Sequence, residues 1–261
     1  MGRELCGLYK HGLKLLVAFL GNGTTLLFSC RFALGVPGGL GCSDFSLEVV
    51  SALKALVVPD GILVNDPGQP LDLAARVWQT LEVTLGTAEA SSRVITALGE
   101  GDPLDLLHGW FDRFTGSPGN SFWQYHVQLY RKRPVYWPLQ SPKRQYTVWV
   151  FHERFIRDTL FHIRNDIVEP WLRLAERGIA DLRARAESDR RARKKLDRQL
   201  DFADDLREFS NRLNAIADRG YTPHIDDGVL LNAAPLSEIL PSWPETKKAW
   251  QELEAGDYNW A

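Results

Sequence analysis

The sequence has few cysteines, no long hydrophobic run and almost no net charge. Its three cysteines (Cys6, Cys30 and Cys42) are an odd number without a Cys-x-x-Cys pair, so they indicate neither a disulfide framework nor a zinc site. The six histidines do not cluster at the spacing of metal ligands. No apolar run is long enough to span a bilayer, and a reduced, cytoplasmic compartment is the expected location.

Recognisable catalytic motifs are also missing. The sequence contains no Gly-x-Ser-x-Gly, His-Glu-x-x-His or phosphate-binding loop. Neighbouring carboxylates occur at Asp204-Asp205 and Asp226-Asp227, but such pairs on polar faces are usually only solvated. The residues themselves therefore do not point to a catalytic activity of this chain alone.

The composition is that of a globular protein with segregated charge. Its 261 residues, 44% of them hydrophobic and 11% aromatic, are enough for one large or two small domains with a core. Residues 1–130 have eight Lys/Arg and twelve Asp/Glu, residues 131–219 have 21 and 14, and residues 220–261 have two and seven. A basic middle between acidic flanks is expected if only the middle meets nucleic acid.

The most informative segment lies at the start of this basic middle. Residues 131–144 contain five cations and two large aromatic residues, Tyr136 and Trp137. Cations neutralise phosphates and flat rings stack on bases, while three nearby prolines keep the segment extended. The alternative is a tight hairpin whose aromatic residues form core and whose charges are solvated.

Periodicity predicts mainly helices before and around this segment. Apolar residues at intervals of four from Leu73 to Leu85 predict a helix that begins near Pro70 and ends at Gly86. Residues 46–58 are predicted as a short helix or strand and Ile62 to Val64 as a strand. Further helices are predicted at about 88–98, 103–114 and 120–131, and paired strands at 134–139 and 145–151.

From about residue 153 to Gly220 the pattern stays helical. Apolar residues recur at alternating steps of three and four, which predicts a long antiparallel helical pair with bends or breaks at Pro170 and Gly178. The Arg-rich stretch 183–198 would lie at or near its tip. The predicted fold class is mainly α with a small β element, comprising a β-hairpin, the helical pair and a C-terminal tail with a short helix. The predicted segments are 1–55, 56–152, 153–220 and 221–261.

Three segments resemble a known family. Residues 131–154 read RKRPVYWPLQSPKRQYTVWVFHER, which is similar to the C-terminal region of PglX-type adenine-specific DNA methyltransferases of bacterial phage-defence systems (BREX and its relatives). Residues 59–63, which read PDGIL, resemble the segment preceding that block, and residues 226–232 and 258–261 resemble the family's terminus. The resemblance covers roughly residues 56–261, whereas residues 1–30 match nothing in it.

The resemblance implies DNA target recognition rather than catalysis. The resemblance implies that Lys132, Arg133, Lys143 and Arg144 contact phosphates or a groove edge. Arg133 and Arg144 are the candidates for base readout. Tyr136 and Trp137 would stack or wedge, although Trp137 fits a core position equally well. A second backbone contact would come from 190–195, whose alternative is a solvated helix tip. The predicted DNA-binding residues are Arg131, Lys132, Arg133, Tyr136, Trp137, Lys143, Arg144, Arg190, Arg191, Arg193, Lys194 and Lys195.

The family's catalytic motifs are not in this sequence. Such an enzyme needs a Gly-rich loop for S-adenosylmethionine and an Asn/Asp-Pro-Pro-aromatic loop for the flipped adenine. Gly21-Asn22-Gly23 lacks the third glycine, and Asn65-Asp66-Pro67-Gly68 is expected to be only a turn. S-adenosylmethionine is therefore expected in a catalytic partner or a full-length family member. The expected partners are double-stranded DNA, a catalytic methyltransferase chain or other defence proteins, with the chain itself a separate subunit or a truncated form.

Two other functions stay open from the sequence. The helical pair would also suit a protein–protein assembly module of a defence complex, with the charge incidental. An exported lipoprotein is the third reading, because Lys10 and Lys14 precede the apolar residues 15–20, and 27–30 have the outline of a cleavage site. An independent enzyme is the least favoured.

Overall fold

The computed structural model describes residues 47–117, 119–130, 133–187 and 189–256. Within these ranges the chain is mainly α-helical with a small β element, which confirms the predicted fold class. The described residues divide into two compact units, with the boundary between Leu129 and Tyr130. The predictions made for residues 1–46, which include the Gly21-Asn22-Gly23 turn, the lipoprotein outline and all three cysteines, lie outside the described residues, as do Arg131 and Lys132.

The first unit consists of short helices and one strand. In chain order these are α1 (Leu47–Leu56), β1 (Ile62–Val64), α2 (Leu73–Leu85), α3 (Ala88–Ile95), which a 3₁₀ turn extends over Thr96–Leu98, α4 (Pro103–Phe111) and α5 (Phe122–Leu129). The segment predicted as a short helix or strand therefore contains a helix, over Leu47–Leu56, and no strand in its described residues. The other elements agree with the predicted ones within a few residues at each end.

Helix α2 shows how the sequence sets these boundaries. The Asp72 side chain accepts a hydrogen bond from the Ala75 backbone N–H and begins the helix. Gly86 ends the helix with φ 77°, a left-handed conformation that glycine adopts without steric cost. Val77 and Leu81, which belong to the predicted apolar face, are buried between these ends.

Aromatic packing joins α4 to α5 in the first unit. The ring centroid of Phe122 lies 5.0 Å from those of both Trp110 and Phe111, in edge-to-face arrangements. His126 stacks on Phe122 at 5.3 Å and is fully buried. Burial disfavours its charged form and lowers the pKa of His126 to about 3, so this imidazole is neutral at physiological pH.

The second unit contains the hairpin, the helical pair and the tail. Its elements are β2 (Tyr136–Gln140), β3 (Thr147–Phe151), α6 (Thr159–His162), α7 (Glu169–Ala186), α8 (Arg190–Asp218), α9 (Val229–Ala233) and α10 (Pro244–Ala255). Strands β2 and β3 pair antiparallel in the register Tyr136↔Phe151 to Gln140↔Thr147, and all ten of their residues are buried. The predicted hairpin is thus confirmed, and it forms core rather than an exposed ribbon.

Helices α7 and α8 form the predicted antiparallel pair. Ser210 donates to Glu169 near one end of the pair at 2.6 Å, and Arg207 meets Glu176 at 3.0 Å. The opposite end of the pair is where α7 ends, at Ala186, and α8 begins, at Arg190. The pairing follows from the apolar stripe of α8, in which Leu206, Phe209 and Leu213 are each 0% exposed.

The two predicted interruptions of the first arm turn out differently. A π-helical stretch, Ile163–Val168, connects α6 to α7, and Pro170 lies directly after it in the first turn of α7. The helical hydrogen bonds change spacing just before the proline, where the Glu169 N–H donates to the Arg164 carbonyl, and this accommodates a residue that has no N–H to donate. Gly178 lies inside α7, which continues through it, so no break occurs at this residue.

The tail closes over the hairpin through polar contacts. The buried Asn232 side chain lies 3.2 Å from Nε2 of His152 and donates to the carbonyl of His224 at 2.6 Å. The backbone N–H of Gln140, the last residue of β2, donates to the Ile239 carbonyl at 2.7 Å. None of the helices in the described ranges is both long and apolar enough to cross a membrane.

Candidate nucleic-acid interface

A tight turn joins β2 to β3 and presents the second basic cluster of the sequence. The Ser141 backbone N–H donates to the Tyr146 carbonyl at 3.0 Å, and the Arg144 N–H donates to the Ser141 carbonyl at 2.8 Å. We call residues 141–146 the hairpin turn. Lys143, Arg144 and Gln145 are its exposed members. The turn therefore presents two cations from a buried, rigid hairpin.

One buried carboxylate on α8 fixes the shape of the hairpin turn. Asp205 is 1% exposed and accepts hydrogen bonds from the Ser141 hydroxyl at 2.6 Å and from the Lys143 backbone N–H at 2.7 Å. The Ser141 oxygen in turn accepts from the backbone N–H groups of Gln145 and Tyr146, each at 3.0 Å. The prediction that Asp204-Asp205 would be a merely solvated pair is thus wrong for Asp205, while Asp204 is exposed.

The two cations of the turn have different electrostatic environments. The Lys143 ammonium is ion-paired with Asp201 on α8, whose other oxygen accepts from the Gln145 side chain at 2.6 Å. The hydrogen bond to Asp201 raises the pKa of Lys143 and lowers that of Asp201. Arg144 has no carboxylate partner among the described residues. Of these two cations, Arg144 is the one whose charge is left for a ligand.

Arg144 also has an unusual backbone conformation. Its φ is 59°, in the left-handed region, and no other non-glycine residue in the described ranges has a positive φ. Glycine or asparagine usually occupies such a position, since a larger side chain costs about 1–2 kcal/mol there. The hydrogen bonds around Ser141 hold the backbone in this conformation, and an arginine at this position indicates a role for its side chain.

The predicted aromatic platform is core in this structure. Trp137 is 0% exposed, donates its indole N–H to the Pro134 carbonyl at 2.9 Å and packs on His152 with centroids 4.5 Å apart. Tyr136 is 7% exposed and stacks on Phe151. Burial raises the pKa of the Tyr136 hydroxyl well above its ordinary value. Neither ring presents a face to a base, because both sit on strands that are covered on both sides.

The second predicted cluster lies at the tip of the helical pair, as expected. Asp189 begins α8 by accepting from the Arg191 backbone N–H at 2.7 Å. The five predicted cations that follow are exposed, and none has an ion-pair partner in the described ranges; they are Arg190, Arg191, Arg193, Lys194 and Lys195. Residues 181–198 contain eight Lys/Arg against four Asp/Glu, so the tip carries a local charge of +4.

Helical periodicity places part of this cluster on the same face as the hairpin turn. Residues four apart on a helix lie nearly above one another, so Arg190, Lys194 and Arg198 form one row. Continued along α8, this row leads to Asp201 and Asp205, where the hairpin turn docks. Arg193 and Lys195 project from other faces. Arg198, which is exposed and unpaired in the described residues, was not among the predicted residues although the i, i+4 spacing was visible in the sequence.

Arg133 completes the set of predicted cations. It is exposed, and no carboxylate pairs with it in the part of the chain that the structure describes. The hairpin-turn cations and the row on α8 lie on the same face of α8. Arg133 instead precedes the other end of β2, away from the hairpin turn. The structure therefore does not bring Arg133 and Arg144, the two candidates for base readout, onto the same turn.

Other chemistry is sparse in the described ranges. They contain no cluster of three or more His, Cys, Asp or Glu side chains that could hold a metal ion. Asn65-Asp66-Pro67-Gly68 forms the expected turn, closed by the Gln69 N–H donating to the Asp66 carbonyl at 3.2 Å. The Asn65 amide nitrogen donates within the protein, to Asp112 at 2.6 Å and to the His108 carbonyl at 3.1 Å. The polar groups of this turn are therefore used in hydrogen bonds within the protein, as expected of a structural turn.

No protein-family model matches the chain. Two curated proteins are similar to parts of it. The adenine-specific methyltransferase BrxX of Escherichia coli O9:H4 (strain HS) is 29% identical over 125 residues, which are 46% of this chain and 10% of that protein. The adenine-specific methyltransferase PglX of Lacticaseibacillus casei (strain Zhang) is 27% identical over 189 residues, 67% of this chain and 15% of that protein.

This chain is similar to PglX-type adenine-specific methyltransferases. The similarity supports the relation that the 131–154 block indicated from sequence. The matched regions are nevertheless only 10% and 15% of the two relatives, so each relative is a much longer protein than this chain. The activity of a whole PglX-type protein is therefore not transferred to this chain by the match.

Proposed function

We propose that this chain is the DNA-binding, target-recognition part of an adenine-specific DNA methyltransferase of a phage-defence system. Methylation itself would be performed by catalytic residues and S-adenosylmethionine in another chain or another part of the protein. Two observations support the proposal. The chain resembles BrxX and PglX, and the exposed cations without an ion-pair partner in the described ranges include Arg144 on the hairpin turn and a cluster at the tip of the helical pair.

The observation that carries the proposal is the contrast between Lys143 and Arg144. Both are exposed on the hairpin turn, but Asp201 neutralises only Lys143. Arg144 keeps its full charge in a fixed and strained backbone conformation. A guanidinium that projects from a fixed backbone position suits recognition of a phosphate, or of a guanine edge through two hydrogen bonds.

The spacing of the cations also suits a duplex. Arg190 and Asp201, where the hairpin turn docks, are eleven positions apart on α8, which corresponds to about 16 Å along the helix. One turn of B-DNA is about 34 Å long, so the two cation groups can reach phosphates half a turn apart on the same duplex. Each phosphate contact would add to the salt dependence of binding.

The test is binding of the purified full chain to a labelled random-sequence duplex across a salt series. If about six cations neutralise phosphates, the slope of log K against log salt should be near −5. Arg144→Ala combined with Lys194→Ala should weaken binding and flatten the slope by about 2. Lys248→Ala is the matched control, because Lys248 is exposed on α10 and pairs with Glu252 at 3.5 Å.

Absence of binding at low salt would overturn the proposal for this chain. Equal losses in the double variant and in Lys248→Ala would also count against it, because they would indicate unspecific attraction. In either case the protein–protein assembly role of the helical pair becomes the leading alternative. Leu174 on α7 is a starting point for that search, because it is 45% exposed.

A further inference from the structure

A cleft of about 470 Å³ lies beside the hairpin turn, within the second unit. Its walls come from the hairpin turn, α8, the segment 237–242 and α10. This volume is within the range of small-molecule sites, roughly 300–1,000 Å³. None of the DNA-binding predictions except Arg144 falls on its walls.

Three structural elements each contribute one cation to the cleft. Arg144 comes from the hairpin turn, Arg212 from α8 and Lys247 from α10. Arg144 and Lys247 have no ion-pair partner in the described residues. Cations that converge from separate elements are more costly to hold together than cations dispersed over a surface, and an anionic ligand would offset that cost.

The carboxylates in the cleft walls do not cancel this charge. Glu238 lies within 3.2 Å of Arg219, which is not part of the cleft, and is neutralised there. Glu254 is exposed and remains the one carboxylate of the cleft without an ion-pair partner in the described ranges. The side chains of the cleft without an ion-pair partner in the described ranges therefore carry a net positive charge.

Arg212, unlike Arg144 and Lys247, is already ion-paired, with Glu208 on the same helix, and its contacts fix its position. Its Nε donates to Glu208 at 3.0 Å and one terminal nitrogen donates to the Glu238 carbonyl at 3.1 Å. These two bonds fix the plane of the guanidinium and leave the other terminal nitrogen without a partner among the described residues. A side chain that is already ordered loses little conformational entropy when an anion binds.

The remaining walls favour an anion that carries a flat group. Ser237 and Ser242 provide hydroxyl donors, and the half-buried Trp250 provides an aromatic surface. The Trp250 indole N–H donates to the Leu230 carbonyl at 3.3 Å, which orients the ring. Phosphate oxygens suit the cations and hydroxyls, and a nucleobase suits the indole.

We propose that this cleft binds a nucleotide, with its phosphate group on Arg144, Arg212 and Lys247 and its base against Trp250. The phosphate can come from a free mononucleotide or from the backbone of a nucleic-acid strand that reaches the cleft. The inference does not depend on duplex binding by the row on α8, because Arg212, Lys247 and Trp250 are not part of that row.

The experiment is calorimetric titration of the full chain at low salt with inorganic phosphate, deoxyadenosine monophosphate and a duplex. Lys247→Ala should weaken binding of the mononucleotide about tenfold, the effect of one lost charge-assisted contact. Lys248→Ala, the adjacent lysine that pairs with Glu252, should leave it within about twofold. Trp250→Leu should weaken binding of the mononucleotide but not of phosphate, and Glu254→Gln should strengthen both.

Competition separates the two sources of the phosphate. If the duplex displaces the mononucleotide and Lys247→Ala also weakens binding of the duplex, the cleft holds a strand of nucleic acid. If the two bind independently, it holds a free nucleotide. No binding of phosphate or mononucleotide at concentrations up to about 10 mM would overturn the inference even if the duplex binds with its Arg144 and Lys194 dependence intact. Equal effects of Lys247→Ala and Lys248→Ala would overturn it as well.

Discussion

The Asp205 carboxylate accepts a hydrogen bond from the Ser141 hydroxyl at 2.6 Å, and this bond joins α8 to the hairpin turn. The same carboxylate accepts a second hydrogen bond, from the Lys143 backbone N–H. One buried side chain therefore determines the conformation of a turn whose outer residues are charged. The position of Arg144 is thus a consequence of a polar contact in the core.

Replacing Asp205 should therefore damage both stability and the turn. Asp205→Asn puts an amide N–H where the protein presents donors, and we expect a loss of about 2–3 kcal/mol in the free energy of unfolding. The measurement is urea denaturation of the full chain. Asp201→Asn is the control: its pair with Lys143 is exposed and should contribute less than about 1 kcal/mol. Similar losses in both variants would contradict the role given to Asp205.

Arg144→Gly should separate function from stability. Glycine relieves the left-handed strain at φ 59°, so the folded protein should keep its stability or gain up to about 1 kcal/mol. DNA affinity should nevertheless fall, because the unpaired guanidinium is lost. Thermal unfolding and duplex titration of the same sample measure the two effects. A variant that loses stability and binding together would show that the side chain has a structural role.

The row on α8 should matter more for DNA than an equally exposed pair on α7. Arg190→Gln/Lys194→Gln should reduce the salt slope by about 2 and weaken duplex binding. Arg173→Gln/Arg177→Gln removes two exposed cations at the same i, i+4 spacing, also without ion-pair partners in the described ranges, and should change the slope little. Identical slopes for the two double variants would argue against the proposed face.

His126 should make the chain sensitive to acid. Its folded-state pKa is lowered to about 3 by burial, whereas an unfolded chain protonates this imidazole near 6.5. The unfolded state therefore binds one more proton between these values, and stability should fall by up to about 1.4 kcal/mol for each pH unit from about 6.5 toward 3. Urea denaturation across this pH range measures the slope. His126→Phe, which keeps a ring beside Phe122, should flatten the slope by one proton.

His108 should have the opposite dependence. Its Nε2 lies 3.4 Å from Asp72 and its Nδ1 lies 2.8 Å from the Asn65 side-chain oxygen, and the hydrogen bond to Asp72 raises the pKa of His108 above 6.5. The stabilisation is complete below the unfolded pKa and is lost as pH rises through the folded pKa. An NMR titration of the His108 ring measures that pKa. Asp72→Ser, which keeps a residue suited to begin α2, should lower it; an unchanged pKa would contradict the assignment.

Local patterns in the sequence predicted most of the fold. The helix that ends at Gly86, the hairpin and the antiparallel pair each follow from apolar periodicity or turn residues within one segment. The break considered at Gly178 does not occur, because packing in the helical pair stabilises α7 through a residue with low helix propensity. The choice between helix and strand, which the sequence left open for residues 46–58, is decided in favour of a helix over Leu47–Leu56.

The candidate site was less accessible from sequence, for a physical reason. Charge and aromatic content were visible, but burial decides whether a ring such as Trp137 is core or platform, and burial depends on segments far away in the chain. The role of Asp205 was hidden for the same reason, since its partners lie on the hairpin turn. The cleft around Lys247 and Trp250 requires four segments to meet, and no local pattern encodes that meeting.

The anchoring of the hairpin turn has a consequence for the order of folding. Asp205 and Ser141 are 64 residues apart in the chain, so their contact forms only after a long loop has closed. During synthesis, the turn emerges well before the carboxylate that shapes it. A peptide of residues 131–151, or the same segment transplanted into another scaffold, should therefore adopt a different turn conformation and bind as an ordinary flexible cation, unless α8 accompanies it.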